Sequence, residues 1–190
     1  MNKKGFSLIE ILISTSVAVL IGGLLIVIMV NITRVFFKES SGVSIGLNTN
    51  DALAEVRKSI KQSSGVEATY TAGSTTYTSG ATQIVLKVPS LDQSGNIIGS
   101  TFDYFVFFQT QNILHFKTFP NAASKRKAQD QIFSNLVDSL VFKYLSSANP
   151  PVEVTPTSAS KVRITLILKQ KTGQTYETNS ATSEANLRNN

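Results

Sequence analysis

The 190-residue chain carries 18 Lys and Arg against 12 Asp and Glu, a formal net charge of +6, with 42% hydrophobic residues, no cysteine and one histidine. The absence of cysteine removes disulfides and thiolate nucleophiles, and a single histidine takes away the usual zinc ligand sets as well. The basic balance permits attraction to nucleic acid, anionic lipid or acidic wall polymers without choosing among them.

The chain opens on Lys3-Lys4-Gly5-Phe6-Ser7-Leu8-Ile9-Glu10, followed by a run from Ile11 to Thr33 with no charged side chain. As a helix at 1.5 Å per residue the run is roughly 35 Å long, enough to cross a hydrocarbon core of about 30 Å. It is longer than the apolar core of a secretory signal and no A-x-A site follows it, so a membrane span is expected. A carboxylate at the edge of such a span costs a few kcal/mol unless it is paired, so Glu10 asks for a partner. A cut between Gly5 and Phe6 would supply one, because the new α-ammonium of Phe6 could meet the Glu10 of a neighbouring copy. The helix dipole also favours an acid in the first turn. Lys3 and Lys4 on one flank are balanced by Arg34 and Lys38 on the other, so charge alone does not orient the span. Gly22 and Gly23 suit close helix packing in a membrane, or a soft point where the helix bends.

Lys3 to Glu10 resembles the type IV prepilin leader. In that family a membrane-embedded prepilin peptidase cuts after the glycine and methylates the new N-terminal phenylalanine. The resemblance implies cleavage at Gly5 and Phe6, N-methylation of Phe6, and subunit docking through Glu10. It also orients the span, with the leader (1–5) cytoplasmic, the helix (6–41) in the membrane and the domain (42–190) exported. A plain signal anchor with an unrelated glutamate is the competing reading. The chain departs from many family members in lacking a C-terminal disulfide loop, and from others in having no proline before Pro89.

Past the span, Gly42 and Gly46 are expected to interrupt the helix, with Asn48-Thr49-Asn50-Asp51 capping a fresh start. Leu53, Val56 and Ile60 then recur at helical spacing, giving an amphipathic stem over about 51–64 that stops near Ser63-Ser64-Gly65. Thr69 to Thr82, almost all Thr, Ser, Gly, Ala and Tyr, reads as an exposed loop or weak hairpin. Ile84 to Val88 is a strand closed by Pro89, and Asp92 to Asn96 a turn leading to Ile97-Ile98. Phe102 to Gln109 is an aromatic strand with Asp103 as its only charge, and it returns through Gln111-Asn112 as Ile113 to Phe119.

Asn121 to Gln131 is polar and contains Lys125-Arg126-Lys127. Leu140, Phe142 and Tyr144 fall on one face of the next strand, Ser146 to Ser160 is a proline-bearing loop, and Val162 to Lys169 alternates with one buried face. Thr172-Gly173-Gln174 turns into a last short strand near Thr175 to Thr178. Connections this short make the sheet (about 82–178) mostly antiparallel.

The expected class is α+β, a long N-terminal helix followed by an antiparallel β-sheet domain, an order that resembles the type IV pilin fold. The turn from Pro89 to Gly95, the Leu136 to Tyr144 strand after a basic loop, and the final Leu187-Arg188-Asn189 resemble J-class minor pseudopilins and related minor pilins. A major subunit is usually shorter. Enzymatic readings find little footing. His115 reads as an ordinary strand residue, no glycine-rich phosphate loop follows a strand, and no cofactor is expected. Asp92 with Asp103 suggests a calcium pair, but no dense oxygen-ligand loop accompanies them and no metal is expected.

The resemblance implies a minor pilin or pseudopilin of a type IV pilus, a type II secretion pseudopilus or a competence filament. Its partners would be other pilin or pseudopilin subunits, the prepilin peptidase, an inner-membrane platform protein, an assembly ATPase and, before assembly, membrane lipid. The alternative is a tip adhesin or DNA-binding receptor pilin, using Lys125, Arg126 and Lys127 with Lys143, Lys169 and Lys171; a solvated loop is the simpler reading of those cations.

Overall fold

The fold is described from a computed structural model over residues 7–172 and 175–188. The Gly5–Phe6 cleavage point, the Gly173–Gln174 part of the last turn and Asn189 lie outside the described residues. Helix α1 runs from Leu8 to Gln62, and the chain divides into two units between Ser41 and Gly42.

In the first unit α1 is, by length and composition, long and apolar enough to cross a membrane. Its hydroxyl side chains bond back to the helix: Ser14 to the Glu10 carbonyl at 2.8 Å, Ser16 to Leu12 at 2.8 Å and Thr33 to Met29 at 2.8 Å. Those polar groups therefore need nothing from the surroundings, which is the condition for placing them in hydrocarbon.

In the second unit the remainder of α1 buries Ile45, Thr49, Ala52, Leu53, Val56, Ser59 and Ile60. These positions recur every three or four residues and form one face. The helix is not interrupted at Gly42 or Gly46, contrary to the sequence expectation. A glycine costs about 1 kcal/mol in a helix interior, and the apolar face on both sides of Gly46 outweighs it. The polar cluster expected to cap a new helix lies inside this one, with Thr49 Oγ1 donating to the Ile45 carbonyl at 2.7 Å. At the C-terminal end Ser63 Oγ donates to the Ile60 carbonyl at 2.7 Å.

Strands β1 (Gly65–Glu67), β2 (Thr69–Ala72), β3 (Thr75–Thr78), β4 (Gln83–Leu91), β5 (Ile97–Thr110), β6 (Ile113–Phe119), β7 (Gln129–Ser134), β8 (Val137–Leu145), β9 (Lys161–Thr172) and β10 (Thr175–Asn186) follow. They form an antiparallel five-stranded sheet ordered β1-β4-β5-β6-β7, an antiparallel three-stranded sheet ordered β10-β9-β8, and a separate β2-β3 hairpin. One core joins the α1 face to inward residues of both sheets, among them Ile84, Leu86, Phe107, Leu140, Ile164 and Leu168. The alternation read for β8 and β9 is the observed one, with Phe142 and Tyr144, and Val162, Ile164, Leu166 and Leu168, all buried.

Three boundaries differ from the sequence expectation. Pro89 does not close its strand: β4 continues to Leu91, where β1 no longer pairs beyond Lys87 and the register slips between Pro89 and Leu91. A residue without an N–H is tolerated at such a bulge. Ile97-Ile98 and the aromatic run belong to one strand, with Ser100 at φ 61 between them. β10 is far longer than the expected Thr175 to Thr178, pairing with β9 from Thr175 to Asn186. Its side chains are almost all polar because one row faces solvent along its length, so there was little apolar alternation to read.

Behind the five-stranded sheet, Tyr77 of the hairpin packs on Val85 and Val106, beside Tyr70, Tyr104, Phe108 and Phe119. Tyr70 stacks on Tyr104 with ring centroids 4.2 Å apart, and Tyr77 sits 5.4 Å from Phe119. Among the described residues the hairpin pairs with no other strand; these rings hold it against the sheet, and just past its end Ser79 Oγ donates to the Glu67 carbonyl at 2.6 Å and accepts the Val85 N–H at 2.9 Å.

Candidate functional site

Glu10 lies in the first turn of α1, and its Oε2 accepts a hydrogen bond from the Ser7 backbone N–H at 3.2 Å. Ile11 N–H closes the turn on the Ser7 carbonyl at 3.2 Å. Ser7-Leu8-Ile9-Glu10 is thus an S-x-x-E segment with the acid reaching back to the cap residue, half of a capping box. The sequence reading treated Glu10 as an acid in search of a cation and missed this local partner, although the spacing was in plain view. The bond engages one carboxylate oxygen. The acid stays exposed, so the cap and an outside cation are compatible uses of the same group.

The basic run is not a uniform patch. Arg126 points inward, donating through Nη1 to Asp103 Oδ2 at 2.6 Å and to the Pro89 carbonyl at 2.6 Å. Its guanidinium lies 5.6 Å from the centre of the Phe105 ring. Asp103 is fully buried and accepts three further bonds: Ser90 Oγ and the Asn121 N–H on Oδ1, and Ser124 Oγ on Oδ2, each at 2.8 Å. Burial pushes this carboxyl up, but the Asn121 N–H, Arg126, Ser124 and Ser90 outweigh it and hold it below the usual carboxylate range.

Asp103 is therefore the anchor of a strap. Residues 121–126 cross over the 89–96 segment, and Lys125 N–H adds a bond to the Leu91 carbonyl at 2.8 Å. Gly95, at φ 90, lies beneath the strap: a Cβ there would stand 2.9 Å from Lys125 Nζ. Lys125 and Lys127 are left exposed, without an acidic partner among the described residues. The other cations grouped with them are occupied or apart. Lys143 pairs with Glu153 at 3.4 Å, Lys169 lies 3.7 Å from Asp138 and 4.8 Å from the Tyr176 ring centre, and Lys171 is exposed on β9.

Asp92 and Asp103 do separate work. Asp92 caps its own turn by accepting the Asn96 N–H at 2.8 Å, and that bond, more than any other, holds its carboxyl low. Among the described residues no three His, Cys, Asp or Glu side chains gather as metal ligands. His115 stacks on Phe108, ring centroids 4.8 Å apart and 10° from parallel, and faces Ile132 across the β6–β7 ladder. Ser90 and Ser124 both donate to a carboxylate already paired with a guanidinium, an arrangement that fixes loops and supplies no activated nucleophile.

The sequence showed half of this site. Asp103 stood out as a lone charge in an aromatic strand, which by itself demands a partner; the partner lay 23 residues on, in the basic loop. Neither a family model nor a curated protein nor a solved structure matches the chain.

Proposed function

We propose that the chain is a minor pilin or pseudopilin, a structural subunit with the type IV pilin fold. In this reading its apolar helix waits in the inner membrane and is then drawn into a type IV pilus, a type II secretion pseudopilus or a competence filament. The observation that carries the reading is the junction at residues 3–10. A basic leader, a glycine and a phenylalanine precede one helix, α1, which holds an acid, four residues after that phenylalanine, in its first turn and continues from an apolar stretch into the core of an antiparallel sheet domain. That order suits a subunit whose helix serves first as an anchor and then as packing material, with the sheets exported.

On this reading prepilin peptidase cuts after Gly5 and methylates Phe6. Glu10 meets the N-terminal ammonium of a neighbour, and a platform protein and a cytoplasmic ATPase drive assembly. The DNA-receptor alternative has less support, because Arg126 is spent inside the strap and only Lys125 and Lys127 of the run face outward. The deciding experiment is mass spectrometry of the chain recovered from sheared filaments of the native host. A mature N-terminus at methylated Phe6 is expected; an intact Met1 or a cut elsewhere removes the basis of the proposal.

A further inference from the structure

All five tyrosines lie in the sheet domain, and among the described residues two of them stack on one another. Tyr70 of β2 lies against Tyr104 of β5, the central strand of the five-stranded sheet, with ring centroids 4.2 Å apart and planes 25° from parallel. Aromatic pairs more usually stand about 4.5–7 Å apart, so these two rings are in face contact. The ring carbons beside each hydroxyl, over which the unpaired electron of a tyrosyl radical spreads, therefore lie against the partner ring. Both residues are half-buried, which leaves the pair open to a small oxidant.

The other tyrosines are placed differently. Tyr77 is opposite Tyr70 across the hairpin, but its ring packs on Phe108 and Phe119 at 5.7 and 5.4 Å. Tyr144 is buried, its hydroxyl donating to the Gly80 and Gln83 carbonyls at 2.9 and 3.1 Å. Tyr176, exposed on β10, has Lys169 beside its ring. The chain contains no cysteine and no tryptophan, and its two methionines, Met1 and Met29, are in the N-terminal segment. The sheet domain thus lacks the sulfur groups that ordinarily absorb oxidising equivalents, and its stacked tyrosines are left to do so.

We propose that Tyr70 and Tyr104 are a modification site, joined by a dityrosine bond when one-electron oxidants driven by hydrogen peroxide act on the protein. Each tyrosine gives up one electron and its hydroxyl proton. The two radicals couple carbon to carbon beside their hydroxyls, and the hydrogens on the coupled carbons move back to the phenol oxygens. One peroxide takes up the two electrons and two protons and leaves as two waters. The bond ties β2 to β5 and fastens to the sheet a hairpin that no strand pairing holds there, the part a disulfide plays in chains that have cysteine. It forms whether or not the chain enters a filament.

Two preparations test the site: the full-length chain in detergent treated with peroxidase and hydrogen peroxide, and the chain recovered from native membranes after the host is challenged with hydrogen peroxide. Trypsin cuts after Lys61, Lys87 and Lys117, so the bond should appear as peptides 62–87 and 88–117 joined, lighter by two hydrogens than their sum. Fragmentation should place it at Tyr70 and not at Tyr77. In detergent the fluorescence of dityrosine should grow at a rate per chain that does not depend on protein concentration, as coupling within one chain requires. Tyr70→Phe and Tyr104→Phe, which keep the stacked rings, should each lower that fluorescence about tenfold or more, because the positioned partner is lost. Tyr176→Phe should leave it unchanged. A bond at Tyr77 or Tyr176, undiminished fluorescence from Tyr70→Phe or Tyr104→Phe, or absence of the joined peptides from either preparation overturns the proposal.

Discussion

At Asp103 one carboxylate holds two loops. Its four neighbours make it an acceptor without spare capacity, and Arg126 neutralises it where water does not reach. Removing the cation leaves a buried charge unpaired, so Arg126→Ala should destabilise the sheet domain by about 3 kcal/mol or more. Lys125→Ala and Lys127→Ala, at exposed positions, should stay within about 0.5 kcal/mol. Chemical denaturation of the full chain in detergent, followed by near-UV circular dichroism, separates the outcomes; equal effects from all three would mean that the strap is not anchored at Arg126. Acid acts on the same bonds. Asp103, Asp92 and Glu184 all titrate below their ordinary range when folded; for Glu184 the first cause is the bond from Arg163. The unfolded chain therefore binds these protons more readily. Their stabilisation is present in full above about pH 4, the unfolded carboxylate range, and is lost as the pH falls through the lower folded values. Asp103→Asn should flatten that acid limb in a series of melts between neutral and acid pH, besides lowering stability at neutral pH.

Among the elements, the ones with an apolar rhythm were legible and the ones without it were not. β8 and β9 alternate so regularly that their buried faces could be assigned residue by residue. β10 escaped because its row of Thr, Ser, Asn and Glu gains its place from pairing with β9 and buries only Ala185 fully. Helix α1 was cut too early because glycine propensity was weighed without the core face that Ile45, Thr49 and Ala52 provide across it. That correction is testable. In a continuous helix Gly46→Ala should stabilise by up to about 1 kcal/mol, since the new Cβ would meet only the Asn179 amide at 3.8 Å. A rise in Tm of roughly 2–4 °C is expected for a domain of this size; a fall would mean that Gly46 is needed in a non-helical conformation. The hairpin β2-β3 offers a contrast, since a two-stranded ribbon alone is marginal in water. Tyr77→Ala should free it from the aromatic floor and admit proteolytic nicking around Gly73-Ser74, with the main core unaffected in near-native gels.

For the molecule as a whole, the question is which of two partners Glu10 serves. The Ser7 N–H needs an acceptor at the fourth side-chain position of the cap, and glutamine supplies that as well as glutamate does. A neighbour's N-terminal ammonium needs a negative charge, which glutamine lacks. Glu10→Gln therefore keeps the local bond and removes only the charge, whereas Glu10→Leu removes both. If the acid is a docking group, both variants should insert into the membrane and be processed at Gly5, since loss of a charge relieves a cost of up to about 3 kcal/mol in a span. Both should then be missing from the filament, because the ammonium left unpaired costs about 3 to 5 kcal/mol. If the acid is only a cap, Glu10→Gln should assemble like the parent, and Glu10→Leu should lose no more than about 1 kcal/mol of helix stability. Fractionation into membrane and sheared-filament pools, with mass spectrometry of the N-terminus in each, reads both steps at once. A Glu10→Gln chain recovered from filaments in parental yield would leave the Ser7 cap as the reason for the glutamate, and the docking role assigned to Glu10 would have to be given up.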